Sequence, residues 1–316
     1  MSKIGITWPG LLSAGGALLC AATLVGFFGP FWWVFELATH FRVQYAVVLA
    51  AMSGLICWQQ PRLAGLFVIF ALVNALILVP RFLPLPMEDH LSSKAGPVLR
   101  VLLANVNSAN RDEQRIRDTI LEHQADFVVL LEATPWLLER LSDLADRYPH
   151  RLTAAREDNF GIALLSRQPW QHAEIVSFSA FGLPSITAKF ADGPRHFTLL
   201  ATHPLPPVSA DAAQDRNAQL AKLAELARQS RQPLLLVGDL NISPWSPYFT
   251  RLLTDSGLRD SGRGITPSWP VGWFALWIPI DHALFSAGIH LKRRITGADL
   301  GSDHYPVIVD FQIITP

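Results

Sequence analysis

Charged residues are almost absent from the first quarter of the chain, where three long apolar runs follow one another. The runs cover Pro9–Phe35, Val43–Gln60 and Leu63–Pro80, and none of them shows a polar face at helical spacing. A helix that crosses a bilayer needs about 20 apolar residues, with about 17–25 as the usual range. The pattern therefore predicts three transmembrane helices. The length of the first run favours an uncleaved span over a signal peptide.

Beyond residue 97 the pattern changes to short apolar runs separated by polar or amphipathic segments. Short, nearly continuous apolar runs predict buried strands, and apolar residues at helical spacing predict helices. The predicted strands are 98–104, 126–131, 161–166, 185–190, 196–202, 233–237, 280–285 and 306–311, and the predicted helices are 111–124, 136–146 and 211–230. Several strands follow one another without an intervening helix, which favours a two-sheet α/β sandwich over a doubly wound sheet.

The distribution of charge divides the chain in the same way. The 316 residues include 26 basic and 26 acidic side chains, but the first 80 residues hold only four of them: Lys3, Glu36, Arg42 and Arg62. The overall charged fraction is 16%, against about 25% in soluble domains, which argues against a free cytosolic enzyme. Two cysteines exclude a disulfide scaffold and a cysteine-rich zinc site. We expect a membrane anchor in 1–80, a linker in 81–96 and a globular domain in 97–316.

Polar side chains of a restricted kind follow the apolar strands of the globular domain. Carboxylates, carboxamides and imidazoles stand at six such places: Asn105 and Asn107, Glu132, His203, Asp239 and Asn241, Asp281 and His282, and Asp303 and His304. Oxygen ligands of this kind suit Mg²⁺ or Mn²⁺ better than zinc. Oriented imidazoles and amides add acid–base capacity and hydrogen bonds to phosphate oxygens. The set is typical of phosphate-ester hydrolysis, in which positioning and charge stabilisation dominate.

The ordered motifs NVN (105–107), LLE (130–132), GIALLSR (161–167), THP (202–204), GDLN (238–241), IDH (280–282) and SDHYP (302–306) resemble those of the endonuclease/exonuclease/phosphatase superfamily. GDLN and SDHYP, with IDH between them, are the most specific. The resemblance covers about residues 98–314. It implies a four-layer, deoxyribonuclease-like α/β fold and a metal-dependent hydrolase of phosphoric ester bonds, of the phosphodiesterase or nuclease type. The amino-terminal spans resemble those of a membrane-bound bacterial branch of the family.

The resemblance implies a metal site at the first of these motifs. Glu132 would be the principal ligand of Mg²⁺ or Mn²⁺, and Asn105 would stand beside it in the metal and phosphate shell. Asp303 would support the metal site directly or from behind its ligands. Asn107 departs from the abasic-endonuclease pattern, which has Asp at that place, so a second strong metal site is in doubt.

The same resemblance assigns catalytic roles to five residues. Asp239 would orient or deprotonate the attacking water, and Asn241 would hold a phosphate oxygen. His304, paired with Asp281 as its orienting carboxylate, would contact the scissile phosphate. His203 would be a second acid/base, although a turn residue before proline is the alternative interpretation.

Two further features have two interpretations each. Arg216, on the helix after THP, either binds substrate phosphate or is a solvated helix residue. The aromatic segment Pro267–Pro279 is either part of the core or an exposed rim that enters a lipid interface, where tryptophan is favoured.

Charge and anchoring bear on the substrate and the location. Residues 97–316 carry 21 basic and 23 acidic side chains, a balance that disfavours nucleic acid as a partner. Anchoring favours a phosphate ester in or near the lipid bilayer. We therefore expect a membrane-anchored phosphodiesterase or phosphomonoesterase. The alternatives are an envelope nuclease and a catalytically silent binding module. The charges flanking the spans are balanced, so they do not determine the orientation of the protein in the membrane. We expect a multi-pass protein of the bacterial inner membrane with a periplasmic catalytic domain.

Overall fold

The computed structural model describes residues 7–83 and 96–314, which fall into two compact units. The first unit contains residues 7–83 together with the short segment 243–247. The second contains 96–242 and 248–314. Lys3 and most of the predicted linker, 81–96, lie outside the described residues.

The first unit is helical because its long apolar runs are interrupted only by prolines, glycines and short polar turns. Its helices are α1 (Trp8–Gly26), α2 (Trp33–Leu37), α3 (Arg42–Ile56) and α4 (Pro61–Leu78). The start of α1 combines two ordinary signals. The Thr7 side chain accepts a hydrogen bond from the Gly10 amide, and a proline occupies the first turn, where it costs no helical hydrogen bond.

The prediction of three transmembrane helices is wrong in its number. Two helices in the described residues are long and apolar enough to cross a membrane, Trp8–Gly26 and Pro61–Arg81. The middle run forms α3, which has 15 residues and is therefore about 22 Å long, less than the roughly 30 Å hydrocarbon core. The uncharged run overstates the helix because turn residues follow Ile56 without a charge to mark the end.

Buried polar residues of the first unit are paired with one another. The Arg42 guanidinium donates to the Thr23 carbonyl oxygen at 3.0 Å and to Asn74 Oδ1 at 3.1 Å, and Asn74 Nδ2 donates to Thr23 Oγ1 at 2.8 Å. Ser246 Oγ donates to Glu36 Oε1 at 2.6 Å, also in a buried position. Such pairing offsets the cost of placing polar groups among apolar helices.

The second unit is a sandwich of two six-stranded sheets with flanking helices, as predicted. The first sheet has the order β11-β12-β1-β2-β4-β3 and the second β5-β6-β7-β8-β10-β9. The strands are β1 (Leu99–Asn105), β2 (Phe127–Leu131), β3 (His150–Ala154), β4 (Ile162–Ser166), β5 (Trp170–Ser177), β6 (Pro184–Asp192), β7 (Arg195–Thr202), β8 (Leu234–Asp239), β9 (Arg259–Asp260), β10 (Asp281–Phe285), β11 (Ile289–Thr296) and β12 (Val307–Ile313). The helices are α5 (Glu113–His123), α6 (Pro135–Arg140), α7 (Ala210–Gln229) and α8 (Pro247–Ser256).

Aromatic side chains join the two sheets in the interior. Phe127 and Phe311 belong to the first sheet, and Phe190 and Phe197 belong to the second. Phe127 lies 4.7 Å from Phe190 and 5.6 Å from Phe197, between ring centroids, in edge-to-face arrangements. All four rings are almost fully buried, so they contribute both apolar burial and favourable ring geometry.

Two parallel strand pairs determine where the polar motifs lie. β1 pairs in parallel with β2, and β7 pairs in parallel with β8. Parallel neighbours need a crossover, which α5 and α7 supply. The ends of these strands carry Asn105, Glu132, His203 and Asp239.

Candidate active site

The first pair of site residues comes from the adjacent strands β1 and β2. Asn105 is opposite Leu131 in the parallel register, so Glu132 follows directly beyond it. Asn105 Nδ2 donates to Glu132 Oε1 at 3.1 Å, and the Ser108 amide donates to Glu132 Oε2 at 2.9 Å. Both carboxylate oxygens of Glu132 are thereby oriented in a buried position.

The second pair comes from the antiparallel strands β8 and β10 of the other sheet. Asp239 and Asp281 are direct partners in that register. Asn105 Nδ2 lies 3.2 Å from Asp239 Oδ2, so the amide of the first sheet reaches a carboxylate of the second. Both aspartates are almost completely buried. The residues predicted at these strand ends therefore form one cluster.

His304 connects the two aspartates. Its Nδ1 donates to Asp281 Oδ2 at 2.8 Å, and its Nε2 lies 3.7 Å from Asp239 Oδ2. Burial alone would lower the pKa of His304, but the carboxylates of Asp281 and Asp239 outweigh it and raise the pKa to about 10. His304 is therefore an imidazolium cation at neutral pH, fixed in orientation by Asp281.

His203 and Asn241 lie on the other side of Asp239. His203 Nε2 is 3.4 Å from Asp239 Oδ2 and 3.3 Å from Asn241 Nδ2, which also donates to the Pro204 carbonyl oxygen at 3.0 Å. Burial opposes ionisation of Asp239, but the charges of His304 and His203 prevail and lower its pKa to about 2. Asp239 is consequently an ionised hydrogen-bond acceptor over the whole working pH range.

The donor set fits a divalent cation. Two buried carboxylate oxygens approach the Asn105 amide nitrogen, Glu132 Oε1 at 3.1 Å and Asp239 Oδ2 at 3.2 Å. A cation offsets the negative charge of carboxylates placed this close together, and oxygen ligands of this kind are those that Mg²⁺ and Mn²⁺ prefer. One ligand atom each from Asp239, Asp281 and His304 also lies within 4.8 Å of the others.

That three-residue group differs from the predicted metal set of Glu132, Asn105 and Asp303. Nδ1 of His304 and Oδ2 of Asp281 already bond each other, and the imidazole is cationic, so this pair is a poor ligand. The carboxylate of Glu132 accepts instead from two neutral donors, the side-chain amide of Asn105 and the backbone amide of Ser108, so these hydrogen bonds do not neutralise its charge. We therefore favour the Glu132 side of the cluster as the cation site.

Asp303 stands outside this cluster, at an exposed position. Its Oδ1 accepts from Asn107 Nδ2 at 2.8 Å, and its Oδ2 accepts from Trp269 Nε1 at 3.0 Å. Asn107 in turn donates its backbone amide to Asn105 Oδ1 at 3.2 Å. Asp303 is thus connected to Asn105 indirectly, through hydrogen bonds of Asn107.

Arg216, on α7, is fully buried and is not exposed to solvent. Its Nη1 donates to the Asn241 carbonyl oxygen at 2.9 Å, and its guanidinium lies over the Tyr248 ring at 5.9 Å. The solvated-helix interpretation is therefore wrong. The contact that Arg216 makes positions the backbone at Asn241.

Several contributors were missed by sequence reasoning. Phe160 packs against His203, with 5.3 Å between ring centroids. Ser302, the first residue of the SDHYP motif, donates to the Asn105 carbonyl oxygen at 2.8 Å and accepts from the His304 amide at 3.1 Å. A serine two residues before a functional histidine is a recognisable turn signal, but its link to Asn105 depends on the tertiary fold.

Solved structures with the same fold include proteins whose names indicate different activities. An endonuclease/exonuclease/phosphatase from Bacteroides vulgatus is 16% identical, with a TM-score of 0.59 over 69% of this chain and 100% of that chain. D. rerio TDP2 complexed with a single-strand DNA product is 14% identical, with a TM-score of 0.56 over 68% and 99%. Sphingomyelinase C from Streptomyces griseocarneus is 20% identical, with a TM-score of 0.52 over 68% and 99%. At these identities the likeness shows the fold alone.

Sequence comparison is informative at the family level. Comparison with curated protein sequences finds no match. The profile of the Endonuclease/Exonuclease/phosphatase family matches residues 102–304, a range that includes every clustered residue from Asn105 to His304. The chain therefore belongs to the endonuclease/exonuclease/phosphatase family.

Proposed function

We propose that this protein is a divalent-metal-dependent hydrolase of phosphodiester bonds that works by attack of an activated water. The observation that carries the proposal is the buried cluster in which one amide, three carboxylates and two imidazoles converge. Members of the family include nucleases, phosphatases and a sphingomyelinase, which supports a phosphoester hydrolase at the coarse level.

Glu132 and Asn105 would hold Mg²⁺ or Mn²⁺, and the cation would offset the negative charge of the phosphate. Asp239, with a pKa of about 2, is a weak base. Its main contribution would be to orient a water by accepting a hydrogen bond. His203, 3.4 Å from Asp239, is placed to move a proton near that water or the leaving oxygen.

Electrostatic stabilisation of the phosphate falls to His304 and Asn241. The raised pKa of His304 keeps the imidazolium charged at neutral pH, so it can donate to a phosphate oxygen while Asp281 fixes its orientation. Asn241 contributes an amide without adding another ionisable group. Asp303 acts from outside the cluster by holding Asn107.

We also propose that the helical unit anchors the enzyme in a membrane and that the substrate is a lipid-linked phosphate ester. A core helix of a soluble protein would be mostly buried, whereas only 22% and 28% of the two candidate windows are buried. The slightly acidic balance of residues 97–316 argues against a nuclease that binds by phosphate neutralisation.

The purified full-length chain, in detergent or vesicles, tests the reaction. We expect turnover of a soluble aryl phosphodiester with Mg²⁺ or Mn²⁺ that EDTA abolishes. Asp239→Asn and His304→Gln should each lower kcat about 10²-fold or more, because each removes an oriented group from the reacting site. The exposed carboxylate variant Asp143→Asn is the matched control.

Plasmid DNA and phospholipid vesicles in the same assay identify the substrate class. Turnover of phospholipid but not of DNA supports the lipid-linked substrate, and the reverse result makes the protein a nuclease. No EDTA-sensitive turnover on any of the three, with both variants equal to the parent, would leave a silent binding module.

A further inference from the structure

An uncharged aromatic segment separates Arg263 from Asp281. Residues 264–280 contain no Asp, Glu, Lys or Arg, and they place Trp273 and Phe274 at a short 3₁₀ turn, Phe274–Leu276. Trp273 is 69% exposed, Phe274 is 76% exposed and Leu276 is 43% exposed. Large apolar side chains that are exposed together usually mark a surface for binding. The core interpretation of this segment is therefore wrong for its tip.

The base of the segment is firmly held although its tip is exposed. Trp269 and Ile278 pair across it: the Ile278 amide donates to the Trp269 carbonyl at 2.7 Å, and the reverse bond is 3.1 Å. Ser268 is fully buried, and its Oγ accepts from the amides of Ile280 and Asp281 at 3.1 and 3.0 Å. The tip thus projects from a closed, hydrogen-bonded neck that leads directly into β10.

The same neck supports the catalytic cluster. Trp269 Nε1 donates to Asp303 Oδ2 at 3.0 Å, and the Val271 amide donates to the Asp303 carbonyl at 2.8 Å. The Tyr305 amide donates to the Ser268 carbonyl at 2.8 Å. These bonds flank His304 on both sides in the sequence. The neck that carries the tip is therefore hydrogen-bonded to the residues on either side of His304.

We propose that the tip formed by Trp273, Phe274 and Leu276 inserts into the head-group region of a phospholipid bilayer and presents the site to a phosphate ester of that bilayer. The inference rests on the proposed function. Tryptophan and phenylalanine favour the interface between lipid and water, and an uncharged tip pays no penalty for desolvating a charge there. The two helices of membrane-spanning length supply the second argument, because they suit a chain that works at a bilayer.

A nucleic acid fits the tip less well, because nucleic acids are bound through cationic side chains and the segment 264–280 offers none. A protein partner is the other alternative, and it predicts that the tip of the purified, reconstituted chain stays in water.

Depth-dependent quenching in proteoliposomes of phosphatidylcholine and phosphatidylglycerol tests the insertion. The full chain, with Cys20→Ala and Cys57→Ala, carries Phe274→Cys labelled with an environment-sensitive fluorophore. We expect a blue-shifted emission and several-fold stronger quenching by spin-labelled lipid than for a label at Ile175→Cys, an exposed apolar position on β5. Equal quenching at the two positions, or none at position 274, would overturn the proposal.

Turnover separates this inference from the proposed reaction. In Trp273→Ser/Phe274→Ser we expect unchanged hydrolysis of the soluble aryl diester and at least about tenfold slower hydrolysis of vesicle phospholipid. Ile175→Ser/Phe181→Ser is the matched control, since both side chains are exposed elsewhere. Equal loss on both substrates would contradict insertion. An inactive parent refutes the proposed reaction, while the quenching measurement still decides whether the tip meets lipid.

Discussion

Glu132, Asn107 and Asn241 share an unusual backbone conformation. Their φ angles are 59°, 60° and 49°, and the described residues contain one other non-glycine case, Gln124, which ends α5. A left-handed residue costs about 1–3 kcal/mol unless its surroundings fix it. Here the surroundings do: the Asn241 amide donates to Asp239 Oδ1 at 2.9 Å, and Arg216 donates to the Asn241 carbonyl. The sharp turns bring the side chains towards one another.

At the residue scale, the buried pair of His304 and Asp281 predicts a specific pH response. In the folded, metal-free protein the pKa of His304 is raised to about 10, above the value of about 6.5 in an unfolded chain. The stability that this imidazolium contributes is therefore fully present below about pH 6.5 and is lost as the pH rises through about 10. Asp281→Asn removes one of the carboxylates that raise it, so we expect a lower pKa.

Histidine NMR of the EDTA-treated chain measures the pKa of His304 in the parent and in Asp281→Asn. The His304 signal of the parent should remain in its protonated position through pH 8, and that of Asp281→Asn should titrate earlier. Denaturant unfolding across the alkaline range should show a smaller loss of stability for the variant. A parent His304 that is neutral at pH 7 would contradict the prediction.

The positions of several residues that the sequence singles out are determined by strand ends. Asn105, Glu132, Asp239 and Asp281 follow from strand pairing, because parallel or directly opposed strands bring their ends together. For Arg216, the sequence indicates the direction of the side chain but not its partner. It precedes Leu220 and Leu223 at helical spacing, and all three are buried, so the apolar stripe of α7 already indicated its inward direction. The sequence could not show that the guanidinium of Arg216 donates to the Asn241 carbonyl, because that contact depends on the tertiary fold.

At the scale of elements, apolar content explains which strands were predictable. The strands β2, β4 and β8 are fully buried and β1 is buried except at Arg100; each contains a run of apolar residues and was predicted within two residues of its observed bounds. The strands β3, β5, β9 and β11 were missed. They are the two edge strands of each sheet and are rich in polar or charged side chains, so their pairing is determined by neighbours and not by their own composition.

At the scale of elements, the neighbouring strands β7 and β8 approach each other closely at Gly238. A Cβ at Gly238 would lie 2.0 Å from the Thr202 carbonyl oxygen, where β7 ends beside His203. Since backbone must move to admit it, we expect Gly238→Ala to cost about 1–3 kcal/mol or more and to separate His203 from Asp239. Thermal unfolding and aryl-diester turnover measure both effects.

The same substitution elsewhere provides the control. A Cβ at Gly54 in α3 meets nothing within 4 Å, and alanine favours a helix by about 0.5–1 kcal/mol over glycine. Gly54→Ala should therefore leave Tm equal or slightly higher and turnover unchanged. A Gly238→Ala variant that keeps the parent's Tm and activity would show that the β7–β8 packing is looser than these distances require.

For the whole molecule, hydropathy indicates where the apolar helices lie but not how many of them are long enough to span a membrane. The apolar excess of the sequence lies in the helices of the first unit. Counting spans failed because a charge-free run records composition, whereas helix length is decided by where the chain turns, as it does after Ile56. The metal set was equally hard to derive, because the shared amide of Asn105 becomes visible only when both sheets are assembled.

The completeness of the second unit predicts that it folds without the helices. The twelve strands of the described residues all lie between Leu99 and Ile313, and the two ends of this region are joined because the Gly96 amide donates to the Ile313 carbonyl at 3.0 Å. We expect a fragment of residues 86–316 to be soluble without detergent and to keep the secondary structure of the sandwich. Its rate of hydrolysis of the soluble aryl diester should be within a few-fold of that of the full chain.

The full chain should instead remain with membranes after carbonate extraction. The fragment lacks Glu36, the partner of Ser246, so a lower Tm is expected with turnover retained. A fragment that aggregates, or that folds without turning over the diester, would mean that the helical unit is part of the catalytic fold and not only its anchor.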